Sequence, residues 1–262
     1  MAEFIGIMTL PFVACLILAG IHAYLGLHVI ERGVIFVDLS LAQIAALGGA
    51  AAVVFGGEMG DPLSYWLSLG FTLVGATVFA LTRHRRQIIP QEAVIGITYA
   101  VSAAAMVLLL SSSGKGDEHI WEAMVGNILL VRRGEVLKIL WVYAAIGAFH
   151  YFLRGRFMRI SKNPEAAYAD GWNVRFWDFL FYASFGLVVT SSVQIAGVLL
   201  VFTFLVVPAS TAMLFCESLR SRLLFGWALG FTGSAIGIVL SYFLDLPTGA
   251  SIVCVFGALI LL

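Results

Sequence analysis

Charged side chains are scarce in this chain. They make up 11% of its 262 residues, against 61% hydrophobic residues and a mean hydropathy of +1.00. A soluble domain cannot hide so much apolar surface in its core. The few charges fall in short groups, which separate apolar segments of roughly 17–25 residues, the length that a helix needs to cross the bilayer core. The composition therefore excludes a soluble globular protein and predicts a polytopic helical membrane protein.

Cysteines are also few, and catalytic motifs are missing. Cys15, Cys216 and Cys254 lie far apart without CxxC spacing, which excludes a disulfide framework and predicts small buried hydrophobic residues. No HExxH, GxSxG or paired catalytic Asp occurs in the apolar segments, so we expect no enzyme. The spans use nearly the whole chain, so the energy for any transport must come from an ion gradient or from a separate subunit.

The apolar segments predict an all-α fold, a single transmembrane domain of residues 1–262 with about eight or nine membrane-spanning helices. The predicted spans are about 4–28, 33–55, 62–82, 91–111, 135–153, 176–193, 195–216, 223–243 and 247–262. Residues 176–215 are too long for one crossing, and the polar residues at 190–194 predict the break. Residues 120–134 are apolar but too short to cross, which predicts a short re-entrant or interfacial helix on the outer side.

The Lys and Arg residues of the short loops predict the orientation. With the N-terminus outside, eleven of them lie on the cytoplasmic side and four on the outer side. Residues 154–175 then form the longest cytoplasmic segment. In it Asn163 can cap a helix that begins at Pro164, has Glu165 in its first turn and ends at Gly171. This short helix could contact a partner protein or lie on lipid headgroups.

Glycines at a helical spacing predict close helix packing. Gly226, Gly230, Gly233 and Gly237 lie on one face of a single predicted helix. We expect this face to pack within the chain, with a subunit interface as the alternative.

Four stretches together resemble the permease subunit of bacterial zinc, manganese and iron importers, the ABC-3 family of ATP-binding cassette transporters. They are GVIFVDLSLAQIAALG (33–48), EAVIGITYA (92–100), HIWEAMVGNILLV (119–131), and the region from VQIAGVLLVFTFLVVPASTAMLF (193–215) to LSYFLDLPTGASIV (240–253). They follow the order of the family and span most of the chain.

The resemblance implies a homodimeric, multi-pass permease in the bacterial cytoplasmic (inner) membrane. It would bind a separate ATPase subunit that holds the ATP, and would receive a divalent metal ion from an extracytoplasmic metal-binding protein. It implies no covalently bound cofactor. The family's cytoplasmic coupling helix maps onto a segment of about 160–173, with the coupling residues Asn163, Pro164, Glu165, Ala166, Ala167 and Gly171.

Four residues are candidates for contact with the metal. Family members carry an Asp and a His four residues apart in the second span, and the alignment puts Leu39 and Gln43 at those positions, with Asp38 one residue earlier. Asp38 is a candidate because an ionisable group inside a span is costly to bury, Gln43 because of its aligned position, and His22 because it lies mid-span. His119 could receive metal on the outer side. The alternatives are structural hydrogen bonds for Asp38 and Gln43 and a solvated loop for His119. For His22, neither its spacing from His28 nor a shared helix face indicates a chelate.

Two other functions remain open. A cobalamin or siderophore permease of the same transporter class has a similar architecture. A stand-alone secondary transporter would predict inverted repeats and paired charges at the midplane, and neither is evident in the sequence.

Overall fold

The computed structural model describes residues 2–57, 61–83, 89–111, 126 and 128–261. All regular elements in this part of the chain are helical, which confirms the all-α prediction. They are α1 (Ala2–Glu31), α2 (Val37–Val54), α3 (Pro62–Thr82), α4 (Gln91–Leu110), a 3₁₀ helix (Ile128–Leu130), α5 (Arg133–Lys162), α6 (Pro164–Ala169), α7 (Val174–Phe215), α8 (Leu219–Leu244) and α9 (Thr248–Leu261).

Seven of these helices are long and apolar enough to cross a membrane, namely α1 to α5, α7 and α8. Helix α7 contains 42 residues and is broken at Gly197, whose φ of 73° and ψ of 164° are not helical. It therefore supplies two of the predicted spans. The shorter apolar helix α9 coincides with the last predicted span.

The break in α7 lies at Gly197 and not at residues 190–194, so this prediction was wrong in position. Hydroxyl groups do not interrupt the helix, because they can bond to the carbonyls of the preceding turn. Ser191 Oγ, for example, donates to Leu187 O at 2.8 Å. Glycine adopts a positive φ without a steric penalty, which explains why the chain leaves the helical path at Gly197.

The chain forms two compact units. The first comprises Met1–Ile30, Met124–Gly147 and Ser192–Leu262. Its glycine face on α8 packs within the chain, as predicted: a Cβ on Gly230 would lie 2.8 Å from Ala19 Cβ, and one on Gly237 would lie 2.6 Å from Ile252 Cα. Only Cys15 of the three cysteines is buried, while Cys254 is exposed on α9, so the expectation that all three are buried was wrong.

Residues 120–125 and 127 of the predicted outer helix at 120–134 lie outside the described residues. Its described part contains the 3₁₀ helix Ile128–Leu130 and the beginning of α5. Gly126 has a φ of +64° and sits against the break in α7, where a Cβ on Gly126 would lie 2.2 Å from Gly197 N. Gly126 therefore covers the non-helical backbone of α7, which a bilayer core tolerates only where protein or water surrounds it.

The second unit comprises Glu31–Ala123 and Ala148–Ser191. Helix α2 packs on both α3 and α4, and most of its side chains are buried. The approach to α3 is close because Gly48 has no side chain: a Cβ there would lie 2.7 Å from Leu67 O. This packing encloses the second predicted span, which carries Asp38 and Gln43.

Candidate functional site

Asp38 occupies the first turn of α2, after the N-cap residue Phe36. Its side chain is 0% exposed, and neither carboxylate oxygen has a hydrogen-bond partner among the described residues. An ionised carboxylate in such a place is strongly disfavoured unless another charge compensates it. Within the described part of the chain, Asp38 is therefore the predicted metal residue whose chemistry most requires a cation.

Glu92, at the start of α4, lies beside this end of α2. Its Oε1 accepts a hydrogen bond of 2.9 Å from the main-chain N–H of Phe36, two residues before Asp38. Its Oε2 is buried and makes no hydrogen bond among the described residues. The Glu92 carboxylate thus satisfies a main-chain donor at the N-terminus of α2, not one of its own helix. Carboxylate oxygens suit hard divalent cations such as Mn²⁺, so Glu92 joins Asp38 as a candidate.

Gln43 is buried on α2, and its Nε2 donates to Met106 Sδ of α4 at 3.6 Å. A thioether is a weak acceptor, so this contact ties α2 to α4 only loosely. The observed role matches the structural alternative for Gln43, and its metal role stays a prediction.

His22 belongs to the first unit, where it forms part of a hydrogen-bonded chain. Its Nδ1 lies 2.8 Å from Leu18 O, and its Nε2 lies 3.3 Å from Ser192 Oγ, which in turn lies 2.6 Å from the Tyr143 hydroxyl. Because a carbonyl can only accept, His22 Nδ1 carries a proton and donates it to Leu18 O. Both ring nitrogens are thus engaged, which fits a structural role for His22.

The described candidates, Asp38, Gln43 and His22, do not form a conventional metal centre. No group of three or more His, Cys, Asp or Glu side chains within the described ranges is placed to hold one ion. His22 lies in the first unit, Asp38 and Gln43 lie in the second, and His119 lies outside the described residues. The metal roles of all four remain predictions.

The predicted coupling segment folds locally as its sequence indicates, and its coupling role stays a prediction. Asn163 Oδ1 accepts from Ala166 N at 2.9 Å, and Pro164 begins α6. The helix ends at Ala169, with Asp170 as its C-cap. Gly171 has a φ of +76°, and its N–H bonds to Tyr168 O at 3.1 Å while Trp172 N bonds to Ala167 O at 3.0 Å. This pair of bonds is the Schellman arrangement, which requires a left-handed residue such as Gly171.

Helix α6 is held on one side and exposed on the other. Ala167 is fully buried against Ile160 of α5 and Val174 of α7, and Trp172 and Trp177 flank this cluster. Glu165 and Ala169 face outwards. The segment therefore presents a short, rigid, exposed helix from a packed base, as a docking element needs.

Beside this base lies a buried ion cluster that the sequence did not reveal. Asp178 of α7 bonds to Arg32 Nη1 at 2.5 Å and lies 3.1 Å from Arg83 Nη1. The side chains of Arg32 and Asp178 are 0% exposed and that of Arg83 is 4% exposed. Although Asp178 lies near the beginning of α7, its side chain does not reach water, because it pairs with Arg32 and Arg83, which follow α1 and α3.

Comparisons with known proteins agree on one family. The model of the ABC 3 transport family matches residues 5–262. The chain is 29% identical over 205 residues to the manganese import system permease protein ScaB of Streptococcus gordonii, covering 74% of this chain and 72% of ScaB. It is 27% identical over 203 residues to the manganese transport system membrane protein MntC of Listeria innocua, covering 75% and 72% of the two chains. It is also 25% identical to the chelated iron transport system membrane protein YfeD of Yersinia pestis, over 75% of this chain and 68% of YfeD.

Solved structures share the fold. A chain of PsaBC from Streptococcus pneumoniae, in complex with Fab, superposes with a TM-score of 0.80 at 24% identity, covering 98% of this chain and 92% of that one. A metal-chelate type ABC transporter in an inward-facing conformation gives a TM-score of 0.70 at 19% identity, covering 96% and 83%.

Proposed function

Because this chain belongs to the ABC 3 transport family, we propose that it is the permease subunit of an ATP-binding cassette importer for a divalent transition metal, most specifically manganese or iron. The observation that carries the proposal is the family match over residues 5–262, joined by relatives named for manganese and iron transport. The helical fold with seven long apolar helices in the described residues supports a multi-pass membrane protein, and we place it in the bacterial cytoplasmic membrane.

The proposed partners follow from what the chain contains. Membrane helices account for most of its length, so ATP hydrolysis is assigned to a separate ATPase subunit that docks on α6 at the cytoplasmic side. The base of α6 is packed by Ala167 and capped by Asn163. We further propose a homodimer and an extracytoplasmic metal-binding protein that delivers the ion.

Within the permease, we propose that Asp38 contacts the metal during its passage, with Glu92 as a second oxygen ligand. The burial of the Asp38 carboxylate without a hydrogen bond among the described residues supports this assignment. Both residues offer oxygen and neither offers sulfur, which favours a hard ion such as Mn²⁺ over a thiophilic one.

Reconstitution tests the function directly. The chain, co-expressed with its proposed ATPase subunit, is placed in proteoliposomes with the proposed metal-binding protein, and uptake of radioactive manganese, iron and zinc is followed with and without ATP. We expect uptake of manganese or iron that requires ATP. Concentrative uptake by the isolated chain under a proton or sodium gradient would instead establish a secondary transporter, and uptake of metal chelates alone would establish the chelate-permease alternative.

The metal site is tested in the same vesicles. Asp38→Asn keeps the shape of the side chain and removes its charge, so transport should fall while the ATPase subunit still binds. Ser40→Ala serves as the matched control on the same helix, because it also removes a buried polar group but leaves the charge of Asp38 in place. Full transport by Asp38→Asn would remove Asp38 from the pathway.

A further inference from the structure

Asp178 joins three parts of the second unit that are distant in sequence. It lies on the first turns of α7, and its carboxylate contacts Arg32, which follows α1, and Arg83, which follows α3. Arg32 and Asp178 are 146 positions apart in the chain. The residues that follow α1 and α3 thus both pair with one buried carboxylate on α7.

Arg32 is fixed from several directions. Its Nε donates to Ser161 Oγ of α5 at 2.9 Å, and its guanidinium lies 4.0 Å above the centre of the Phe181 ring. Ser161 in turn donates to Phe157 O at 2.8 Å. A guanidinium held at both its edge and its face has little rotational freedom. When α5 or α7 is displaced, the Arg32 side chain should therefore move with it and not change rotamer.

The residues that hold Arg32 are neighbours of those that hold α6. Ser161 follows Ile160, and Asp178 follows Trp177, and both Ile160 and Trp177 belong to the cluster around Ala167. A movement of α6 against its base would therefore shift the two groups that bind Arg32. Arg32 precedes α2 by only a few residues, and α2 carries Asp38.

We propose that Asp178 is a positioning residue that transmits movement of the coupling segment, through Arg32 and Arg83, to the start of α2 and the end of α3. The inference rests on the proposed function, since it is movement of the docked ATPase that displaces α6. A buried carboxylate shared by two arginines suits this role, because breaking either pair leaves an uncompensated buried charge, so the helix ends move together.

The test compares Asp178→Asn with Asp170→Asn. Both carboxylates pair with arginine near α6, but Asp170 is 44% exposed and pairs with Arg159, whereas the Asp178 side chain is fully buried against Arg32. In the reconstituted complex we measure metal ions transported per ATP hydrolysed. Asp178→Asn should lower this ratio roughly tenfold, within the usual range of coupling between sites, while ATP hydrolysis and ATPase binding continue. Asp170→Asn should keep the ratio.

A second measurement does not depend on transport. Backbone hydrogen exchange at residues 33–41 should change when the ATPase subunit binds the unaltered chain and should not change in Asp178→Asn. If Asp178→Asn fails to fold, Ser161→Ala and Arg83→Gln replace it, each removing one contact and keeping the Arg32–Asp178 pair. The proposal is overturned if these variants transport as many metal ions per ATP as the unaltered chain and show the same change in exchange at residues 33–41 when the ATPase subunit binds. Failure of the unaltered complex to transport metal with ATP would instead overturn the proposed function.

Discussion

Substituting Gly26 on α1 tests whether the helices of the first unit are packed as described. A Cβ on Gly26 would lie 2.1 Å from the main-chain oxygen of Leu205 and 2.9 Å from Ala209 Cβ, both on α7. Gly20 lies on the same helix, six residues earlier, and a Cβ there would have no atom within 4 Å. The two variants therefore compare the same glycine-to-alanine substitution at a tightly packed position and at a position without close neighbours.

The expected loss of stability in Gly26→Ala depends on which neighbouring atoms can move away from the new Cβ. Leu205 O belongs to a helix backbone and cannot rotate away as a flexible side chain would, so α1 and α7 must separate by roughly 1 Å to restore contact distance. Forcing such a shift in a packed core destabilises by about 1–3 kcal/mol. Gly20→Ala meets no neighbour, and its better helix propensity contributes up to about 1 kcal/mol in the opposite direction. The hydrogen bond from Trp227 to Gly20 O is kept, because its acceptor is main-chain.

The assay is thermal unfolding in a mild detergent, followed by the amount of monodisperse protein that remains after heating. At about 2–4 °C for each kcal/mol in a chain of this size, Gly26→Ala should lower Tm by roughly 2–12 °C. Gly20→Ala should leave Tm unchanged or raise it slightly. Equal Tm values for the two variants would show that α1 and α7 do not approach at Gly26, and the described packing would be wrong.

Three further changes address the coupling segment and the polar chain around His22. In Gly171→Ala the new Cβ meets no atom within 4 Å, but the alanine must adopt a φ of +76°, which costs about 1–2 kcal/mol. Binding of the ATPase subunit should therefore weaken. The control Gly155→Ala, whose Cβ also meets no atom within 4 Å and which has no positive φ, should bind the ATPase normally. Asn163→Ala removes the cap bond to Ala166 N and should weaken the same binding by about 1 kcal/mol. Tyr143→Phe removes the 2.6 Å hydrogen bond to Ser192 and should lower the free energy of unfolding in detergent by about 0.5–1.5 kcal/mol. The metal selectivity of transport should not change. A changed selectivity would indicate that His22 contacts the metal.

The elements that the sequence predicted well are those whose causes are local. Apolar length and charged ends define α2, α3 and α4 to within a few residues, because each helix satisfies its own backbone in the bilayer. The coupling segment was also predictable, since a cap residue, a proline and a glycine at fixed offsets determine where a short helix begins and ends. The break in α7 was misplaced because hydroxyl-rich residues resemble a loop in composition and yet bond within a helix, as Ser191 does.

The buried ion cluster could not be predicted, because nothing near Arg32, Arg83 or Asp178 in the sequence marks them as partners. Each looks like an ordinary charge at the end of a span, where it would be expected to reach water. Asp38 differs from them: its apolar neighbours already indicated burial, and the structure adds that no described residue bonds to its carboxylate. Asp38 and Asp178 therefore have opposite requirements. Asp178 is paired with Arg32 and Arg83, so it can hold the helix ends in place. No described residue forms an ion pair with Asp38, whose carboxylate is suited to a cation that binds transiently.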